Sequence, residues 1–326
     1  MPHMYRRLFE AVSLPSAPVI AAADGAPLIV TPPPVDAYWL FGDDKPELLD
    51  EMTNAPLARN INLTIPGTMN GYTVAPNVVI SGGGGIGATA LAVIDGGGVL
   101  RRVFITNPGI GYTSAPTAAV VPIGAGTAGN LTVVLGDAPT LHTGYMTIPD
   151  GSNGHRNGLV TTFDDAPSQT QMAIIRPRGG TGVAQIPFGA LNDSALYAVG
   201  GDSLYTYQTG WRQQTAPGTY AAVSPSGIAF DAWAFIALVQ DNVNNRRDAY
   251  FGRSTGLQQF TTEGVHKTAA PRKNALGNAY YAASGFYTGM DVAMFMPKAG
   301  VLSRNDILDI FQTQSSVVGR RGVIIP

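Results

Sequence analysis

The chain has 326 residues, of which 45% are hydrophobic and only 13% are charged, and it contains 40 glycines, 24 prolines and no cysteine. The lack of cysteine excludes disulfides and thiolate metal sites. The formal net charge of -2 provides no bulk attraction to nucleic acid or to an anionic membrane, and no stretch reaches the roughly 18 apolar residues of a spanning helix. We therefore expect no nucleic-acid partner and no membrane insertion.

Frequent glycine and proline favour many short strands and turns, which predicts an all-β fold. The first segment, residues 1–34, begins with a short helical pattern and becomes rich in proline, alanine and serine from Leu14 to Pro34. Prolines at this density prevent helix formation and favour extended geometry. This pattern predicts an N-terminal anchoring arm that docks onto another protein.

Residues 35–65 have the apolar and aromatic composition that is typical of the core strands of a domain. Tyr38 to Phe41 place three aromatic residues and a leucine in one short strand, which an acidic loop follows. Asn60 to Ile65 then alternate polar and apolar residues, which is typical of a half-buried strand.

Residues 66–138 form a glycine-rich block that carries a repeat. The phrase Gly-Tyr-Thr-x-Ala-Pro occurs at Gly71–Pro76 and again at Gly111–Pro116, 40 residues later. Five β-prone runs separated by glycine clusters predict two units of two or three strands each. The residues of the phrase that we expect to be structural are Gly71, Tyr72, Pro76, Gly111, Tyr112 and Pro116.

After Pro139 the sequence again resembles residues 35–65 in composition. Its β-prone runs recur at intervals near ten residues, as antiparallel sandwich strands require. Ser303 to Phe311 has the N-cap and first-turn acidic residues of a helix. Residues 315–326 form an apolar tail with a basic centre, predicted to be either a last strand or a peptide lying on a neighbouring subunit. We assign residues 35–65 and 139–314 to one interrupted sandwich domain.

The outer segments resemble a concanavalin A-like, or laminin-G-like, jelly-roll domain. Four stretches carry this resemblance, the last being the most specific: Tyr38–Phe41, Tyr145–Pro149, Trp233–Val239 with Tyr250–Gly252, and Gly289–Phe295 with the helix to Phe311. The resemblance implies an all-β sandwich from which the 66–138 block projects at one loop, with the two ends of the block close together.

The inserted block resembles the glycine-rich repeats of tail-fibre and other virion proteins of tailed bacteriophages. The Gly82–Ala90 phrase adds to this likeness, whereas Pro122 to Gly124 depart from it in the second copy. The resemblance implies a structural protein of the virion, made in the host cytoplasm and displayed on the tail or baseplate. It also implies a homotrimer, with neighbouring virion proteins contacted through the arm and the tail.

Sugar recognition stacks an aromatic ring on a pyranose face while polar side chains bind the hydroxyls. The best candidate patch combines such groups in one stretch: Trp211, Tyr205, Tyr207, Asp202, Gln208 and Arg212. Trp39 and Trp233 lie in dense apolar runs and are predicted to be core. The predicted partner is a host-surface glycan.

No carboxylate pair with the spacing of a glycosidase stands out, and Asp164 and Asp165 are neighbours that point to opposite faces of a strand. The four histidines show no metal-binding spacing. We therefore predict no enzyme, no catalytic residue and no cofactor. Calcium is the one metal considered, because four residues close together in the chain carry hard oxygen ligands: Asp241, Asn242, Asn244 and Asp248. The other interpretation of these four residues is a hydrogen-bonded turn.

The sequence favours a virion adhesin and leaves two alternatives open. One is a decoration or fibre protein of the head or neck without a receptor role. The other is a polysaccharide depolymerase that uses an unrecognised pair of acids.

Overall fold

The computed structural model describes residues 19–21, 27–29, 34–45, 48–152, 155–180, 182–189, 203–208, 210–216, 219–266, 273–281 and 285–326. Regular structure in these residues is almost entirely β, so the predicted all-β class is confirmed. Most of the predicted arm lies outside the described residues. Its two described pieces, β1 (Val19–Ala21) and β2 (Pro27–Ile29), pair antiparallel.

The larger sheet of the sandwich is antiparallel throughout. Its strand order is β11 (Thr140–His142), β12 (Tyr145–Ile148), β23 (Met290–Ala299), β14 (Gln169–Arg176), β19 (Ala234–Asp241), β20 (Arg246–Arg253) and β21 (Gly256–Glu263). A short strand, β3 (Trp39–Leu40), pairs with β23 beside β12.

The smaller sheet packs against one face of the larger sheet. Its strand order is β18 (Thr219–Val223), β17 (Gly210–Ala216), β16 (Ser203–Tyr207), β15 (Ala184–Gly189), β22 (Lys273–Leu276), β13 (Leu159–Asp164) and β4 (Ala58–Arg59). The segments before and after the glycine-rich block thus both contribute strands to the sandwich.

The larger sheet is buried on both faces. Ala173 and Ile175 of β14 face the core between the two sheets, whereas Met172 and Ile174 face a second core that helix α1 (Arg304–Gly319) covers. Because neither face of these central strands meets water, β14 and β19 contain the continuous apolar runs Met172–Ile175 and Ala234–Val239 and no alternating pattern.

Helix α1 begins where predicted and ends later. Ser303 is its N-cap and forms a capping box with Asp306, as the sequence indicated, but the helix continues past Phe311 to Gly319. Val317 and Val318 of this extension are buried in the second core. In the part of the chain that the structure describes, no helix combines the length and the apolar character needed to cross a bilayer.

The C-terminal tail packs on its own chain. Val323 is buried, the guanidinium of Arg321 binds the carboxylate of Asp44 at 2.9 Å and 2.5 Å, and the carbonyl oxygen of Pro326 accepts from the amide of Ser254. The prediction of a last strand was wrong, because residues 320–326 form no strand, and Val323 and Ile325 pack against the core beneath α1. Contact of the tail with a neighbouring subunit stays a prediction.

The glycine-rich block folds as a module of its own. A four-stranded sheet has the order β5 (Ile61–Thr64), β10 (Gly129–Leu135), β9 (Thr117–Val121) and β6 (Asn77–Ser81), and a long hairpin joins β7 (Ile86–Ile94) to β8 (Leu100–Ile110). β5, which the sequence placed with the sandwich, pairs with β10. Ile61 lies opposite Leu135, so the two ends of the module are adjacent, as predicted.

The two repeat phrases each start a strand of this module. Gly71 and Gly111 both have a positive φ, and Pro76 and Pro116 are buried just before β6 and β9. These two strands pair antiparallel, with Val79 opposite Ala119, which are equivalent positions of the repeat. The repeat therefore forms a local pseudo-two-fold pair, in which each phrase precedes one of the two paired strands.

Candidate functional site

The pairing of β16 with β17 decides which predicted site residues share a surface. Tyr205 lies opposite Arg212, and Thr206 lies opposite Trp211. Because side chains alternate along a strand, Tyr205, Tyr207 and Arg212 point away from the sandwich, whereas Trp211 points into it.

Trp211 is a core residue. Its side chain is buried, and its ring packs edge-on against Phe251 at a centroid distance of 4.9 Å and stacks with Phe230 at 6.0 Å. The prediction that Trp211 contacts a ligand was therefore wrong. Both of its ring partners belong to the core between the two sheets, with Phe251 buried and Phe230 packed against its edge.

The remaining aromatic residues form a patch on the outer face of the smaller sheet. Tyr207 is 39% exposed, and the guanidinium carbon of Arg212 lies 4.4 Å from the centre of its ring. Phe286 packs against Tyr205 at 5.5 Å and against Tyr281 at 4.9 Å. We call this set the aromatic patch: Tyr205, Tyr207, Arg212, Tyr281 and Phe286.

Asn278 holds the loop that supplies two of these rings. Its Nδ2 donates to the carbonyl oxygens of Tyr281 at 2.9 Å and Phe286 at 2.6 Å, and its Oδ1 accepts from the amide of Tyr281 at 2.9 Å. These bonds hold the backbone on both sides of the loop, and the rings of Tyr281 and Phe286 pack against Tyr205 and Ile186. No sequence pattern indicated Tyr281, Phe286 or Asn278, since the contact of these residues with β16 is made only in the folded chain.

Two other residues that the sequence analysis assigned to the sugar-binding patch, Asp202 and Gln208, are not part of the aromatic patch that the structure describes. Asp202 lies outside the described residues. Gln208 is exposed and has a φ of 56°, so it forms part of the tight turn after β16 and does not extend the patch. The patch has Tyr205 buried at its base, the partly or largely exposed rings of Tyr207, Tyr281 and Phe286 around it, and one guanidinium. This combination suits the apolar faces and hydroxyl groups of a sugar.

The four candidate calcium ligands have separate partners. Both carboxylate oxygens of Asp241 accept from Asn244, which holds the pKa of Asp241 below its ordinary value. Asn242 exchanges hydrogen bonds with the backbone of His266, and Asp248 accepts from Gln259 at 3.0 Å and from Thr261 at 2.5 Å. Among the described residues, no group of three or more histidine, aspartate or glutamate side chains could hold a metal ion.

The neighbours Asp164 and Asp165 point apart, as the sequence indicated. Asp164 is exposed and pairs with Lys273 at 2.7 Å, whereas the side chain of Asp165 is buried and lies 2.8 Å from Nε2 of His266. Gln169 and Gln240 complete a polar network between the sheets. The sequence placed His266 in a loop without a role, but its ring is a buried member of this network.

The other tryptophans differ in exposure. Trp39 is fully buried, as predicted, whereas Trp233 is only partly buried and carries the guanidinium of Arg176 at 5.1 Å from its ring. Partial burial acts to lower the pKa of Arg176, but its hydrogen bonds and ion pair with Asp291 dominate and raise the pKa above its ordinary value. The ring of Trp233 packs against the core beneath α1, and the guanidinium of Arg176 lies over that ring.

No protein-family model matches the chain, and no curated protein matches it. Among solved structures, the chain is similar to the CBM40 domain of the Ruminococcus gnavus IT-sialidase bound to α2,3 sialyllactose, with a TM-score of 0.38 and 13% identity over 51% of this chain and 95% of that one. A botulinum neurotoxin serotype D binding domain gives a TM-score of 0.37 and 11% identity over 59% and 49% of the two chains. Trypanosoma rangeli sialidase gives a TM-score of 0.40 and 10% identity over 64% of this chain and 32% of that one. Similarity at this level carries no argument about function.

Proposed function

We propose that this protein is a non-catalytic adhesin of a tailed-phage virion, displayed on the tail or baseplate, and that it binds a host-surface glycan through the aromatic patch. The observation that carries the glycan-binding role is the partly exposed ring of Tyr207 beside the guanidinium of Arg212, on a surface of further rings. The virion assignment rests on the resemblance of the repeat module to tail-fibre proteins.

The geometry of the patch supports this role in two ways. Its rings are held by strand pairing and by Asn278, so little conformational entropy is lost when a ligand binds. Arg212 lies against the ring of Tyr207, where its donors flank an apolar surface, as recognition of a hydroxylated ring requires.

Glycan-array binding of wild type, Tyr207→Ala and Arg212→Met tests the proposal. We expect wild type to bind host lipopolysaccharide or capsule, and each variant to bind about tenfold more weakly, because stacking and charged hydrogen bonds are each worth about 1 kcal/mol or more. Arg101→Met is the matched control, since Arg101 is an exposed arginine of the module, paired with Asp95 at 2.7 Å.

Equal binding by wild type and both patch variants would place the glycan elsewhere. Absence of binding to any host polysaccharide would contradict the adhesin role, and release of reducing ends from a polysaccharide would contradict a non-catalytic one.

We also propose a homotrimer, in which three weak sites would act together on one surface. A stable monomer at micromolar concentration, measured by light scattering, would contradict that assembly.

A further inference from the structure

A cleft of about 230 Å³ lies where the module meets the sandwich. The module contributes Ile110 and Tyr112, from the end of β8 and the second repeat phrase, and the sandwich side contributes the loop before β4 and the segment before β11. Its walls are mainly apolar side chains, from Leu48, Leu57, Ile110, Tyr112, Pro139 and Leu141. Among the described residues that line the cleft, none is acidic.

One cation lines this apolar cleft. The backbone of Arg59 is fixed by its pairing with Leu159, and its Nε donates to the carbonyl oxygen of Gly136 at 2.6 Å. Within the described residues this is the only hydrogen bond of the guanidinium, so its two terminal nitrogens have no protein acceptor. A guanidinium beside apolar walls favours an anionic partner, because a fixed cation of this kind pairs best with a carboxylate or phosphate oxygen.

Tyr112 supplies a second polar group. Tyr72, its equivalent in the first repeat phrase, is buried and donates its hydroxyl to the carbonyl oxygen of Thr127. Tyr112 is only partly buried, lines the cleft, and has no hydroxyl hydrogen bond among the described residues. The two copies of one phrase have thus diverged, one into a core residue and one into a residue that faces the cleft.

We infer that this cleft binds a small carboxylate with a hydrocarbon body, with the carboxylate on Arg59 and the body against the apolar walls. The volume is equivalent to roughly eight water molecules, which is close to the size of a medium-chain fatty acid such as octanoate. Aliphatic walls favour a hydrocarbon over an acidic sugar, whose hydroxyl groups would lose their water without finding partners. This site is separate from the aromatic patch and does not depend on the glycan-binding proposal.

Isothermal titration of the full chain with octanoate, octanol and glucuronate tests the inference. We expect saturable octanoate binding at one site per chain, at least tenfold tighter than octanol, because only the carboxylate pairs with Arg59. Glucuronate should show no measurable binding. Tighter binding of glucuronate than of octanoate, or equal binding of octanoate and octanol, would overturn the inference.

Two variants and one control locate the site. Arg59→Met should weaken octanoate binding at least tenfold while leaving octanol binding unchanged, and Arg101→Met should match wild type. If Arg59→Met does not fold, Ile110→Asp serves the same purpose, because Ile110 is 45% exposed and tolerates a charge that repels the carboxylate. Unchanged octanoate binding in a folded Arg59→Met or Ile110→Asp protein would overturn the inference.

Discussion

Tyr72 and Tyr112 hold the same place in the two repeat phrases but lie in different surroundings. Only Tyr72 donates its hydroxyl to a backbone carbonyl, that of Thr127, in the core of the module. Removing the hydroxyl deletes this hydrogen bond, so we expect Tyr72→Phe to lower the free energy of unfolding by about 1 kcal/mol. Tyr112→Phe should change it by less than about 0.5 kcal/mol. Urea denaturation of the two variants measures both effects.

The comparison is internally matched, because the two changes are chemically identical and fall in the same repeat. Equal destabilisation by Tyr72→Phe and Tyr112→Phe would show that the hydroxyl of Tyr112 also has a structural partner. That result would remove one of the two polar groups assigned to the cleft.

The residues of the aromatic patch were only partly predictable from sequence. Tyr205, Tyr207 and Arg212 were identified from their types and closeness in the chain. Trp211 was included wrongly, although strand alternation already separates it from Arg212, its neighbour. Tyr281 and Phe286 lie more than 70 residues away from β16, and nothing local records that Asn278 directs their rings onto it.

At the scale of elements, helix α1 depends on its cap. Ser303 and Asp306 form a capping box, and hydrogen bonds from the side chain and backbone of Ser303 lower the pKa of Asp306 below its ordinary value. We expect Ser303→Ala to lower the free energy of unfolding by about 1 kcal/mol at neutral pH. Urea denaturation measures this change, with Ser316→Ala, an exposed serine within the helix, as the control that stays near wild type.

The same cap gives a pH dependence with a definite sign. A folded-state pKa below the ordinary value means that the carboxylate of Asp306 adds stability above about pH 4, and that this stability is lost as the pH falls through the folded-state pKa. The difference between wild type and Ser303→Ala should therefore shrink as the pH is lowered from neutral into the acidic range. A difference that is constant from neutral to acidic pH would contradict the role of Asp306.

The sequence predicted the start of α1 and not its end, for a physical reason. Capping is local, so Ser303 and Asp306 were visible in the sequence. The stretch after Phe311 is rich in serine, threonine and valine, which are poor helix formers, and it is helical because Val317 and Val318 are buried against the larger sheet. Gln314 is fixed in the same way: it accepts from the hydroxyl of Tyr38 at 2.7 Å, and burial raises the pKa of that tyrosine well above its ordinary value.

At the scale of the whole molecule, polar side chains join the two ends of the module to the sandwich. Asn60 donates to the carbonyl oxygen of Ala279, and Asn62 donates to that of Arg156 and accepts from its amide, each at 3.0 Å. Asn157 accepts from the amide of Asp137 at 2.8 Å on the returning strand. Resemblance alone predicted adjacent ends, but these side chains, which satisfy buried backbone groups of the sandwich, became visible only in the fold.

Adjacent ends imply that the module can be removed without breaking the sandwich. Asn62 lies opposite Val134 in an antiparallel pair, so replacing residues 63–133 with Asn-Gly leaves a two-residue hairpin turn and retains the hydrogen bonds of Asn60 and Asn62 to the sandwich. The shortened chain should fold cooperatively and bind glycan as wild type does, since every residue of the aromatic patch remains. It should lose octanoate binding, because Ile110 and Tyr112 are gone. Thermal unfolding measures folding, the glycan array measures glycan binding, and titration measures octanoate binding. A folded chain that keeps octanoate binding or loses glycan binding would contradict the assignment of the two sites to separate parts of the molecule.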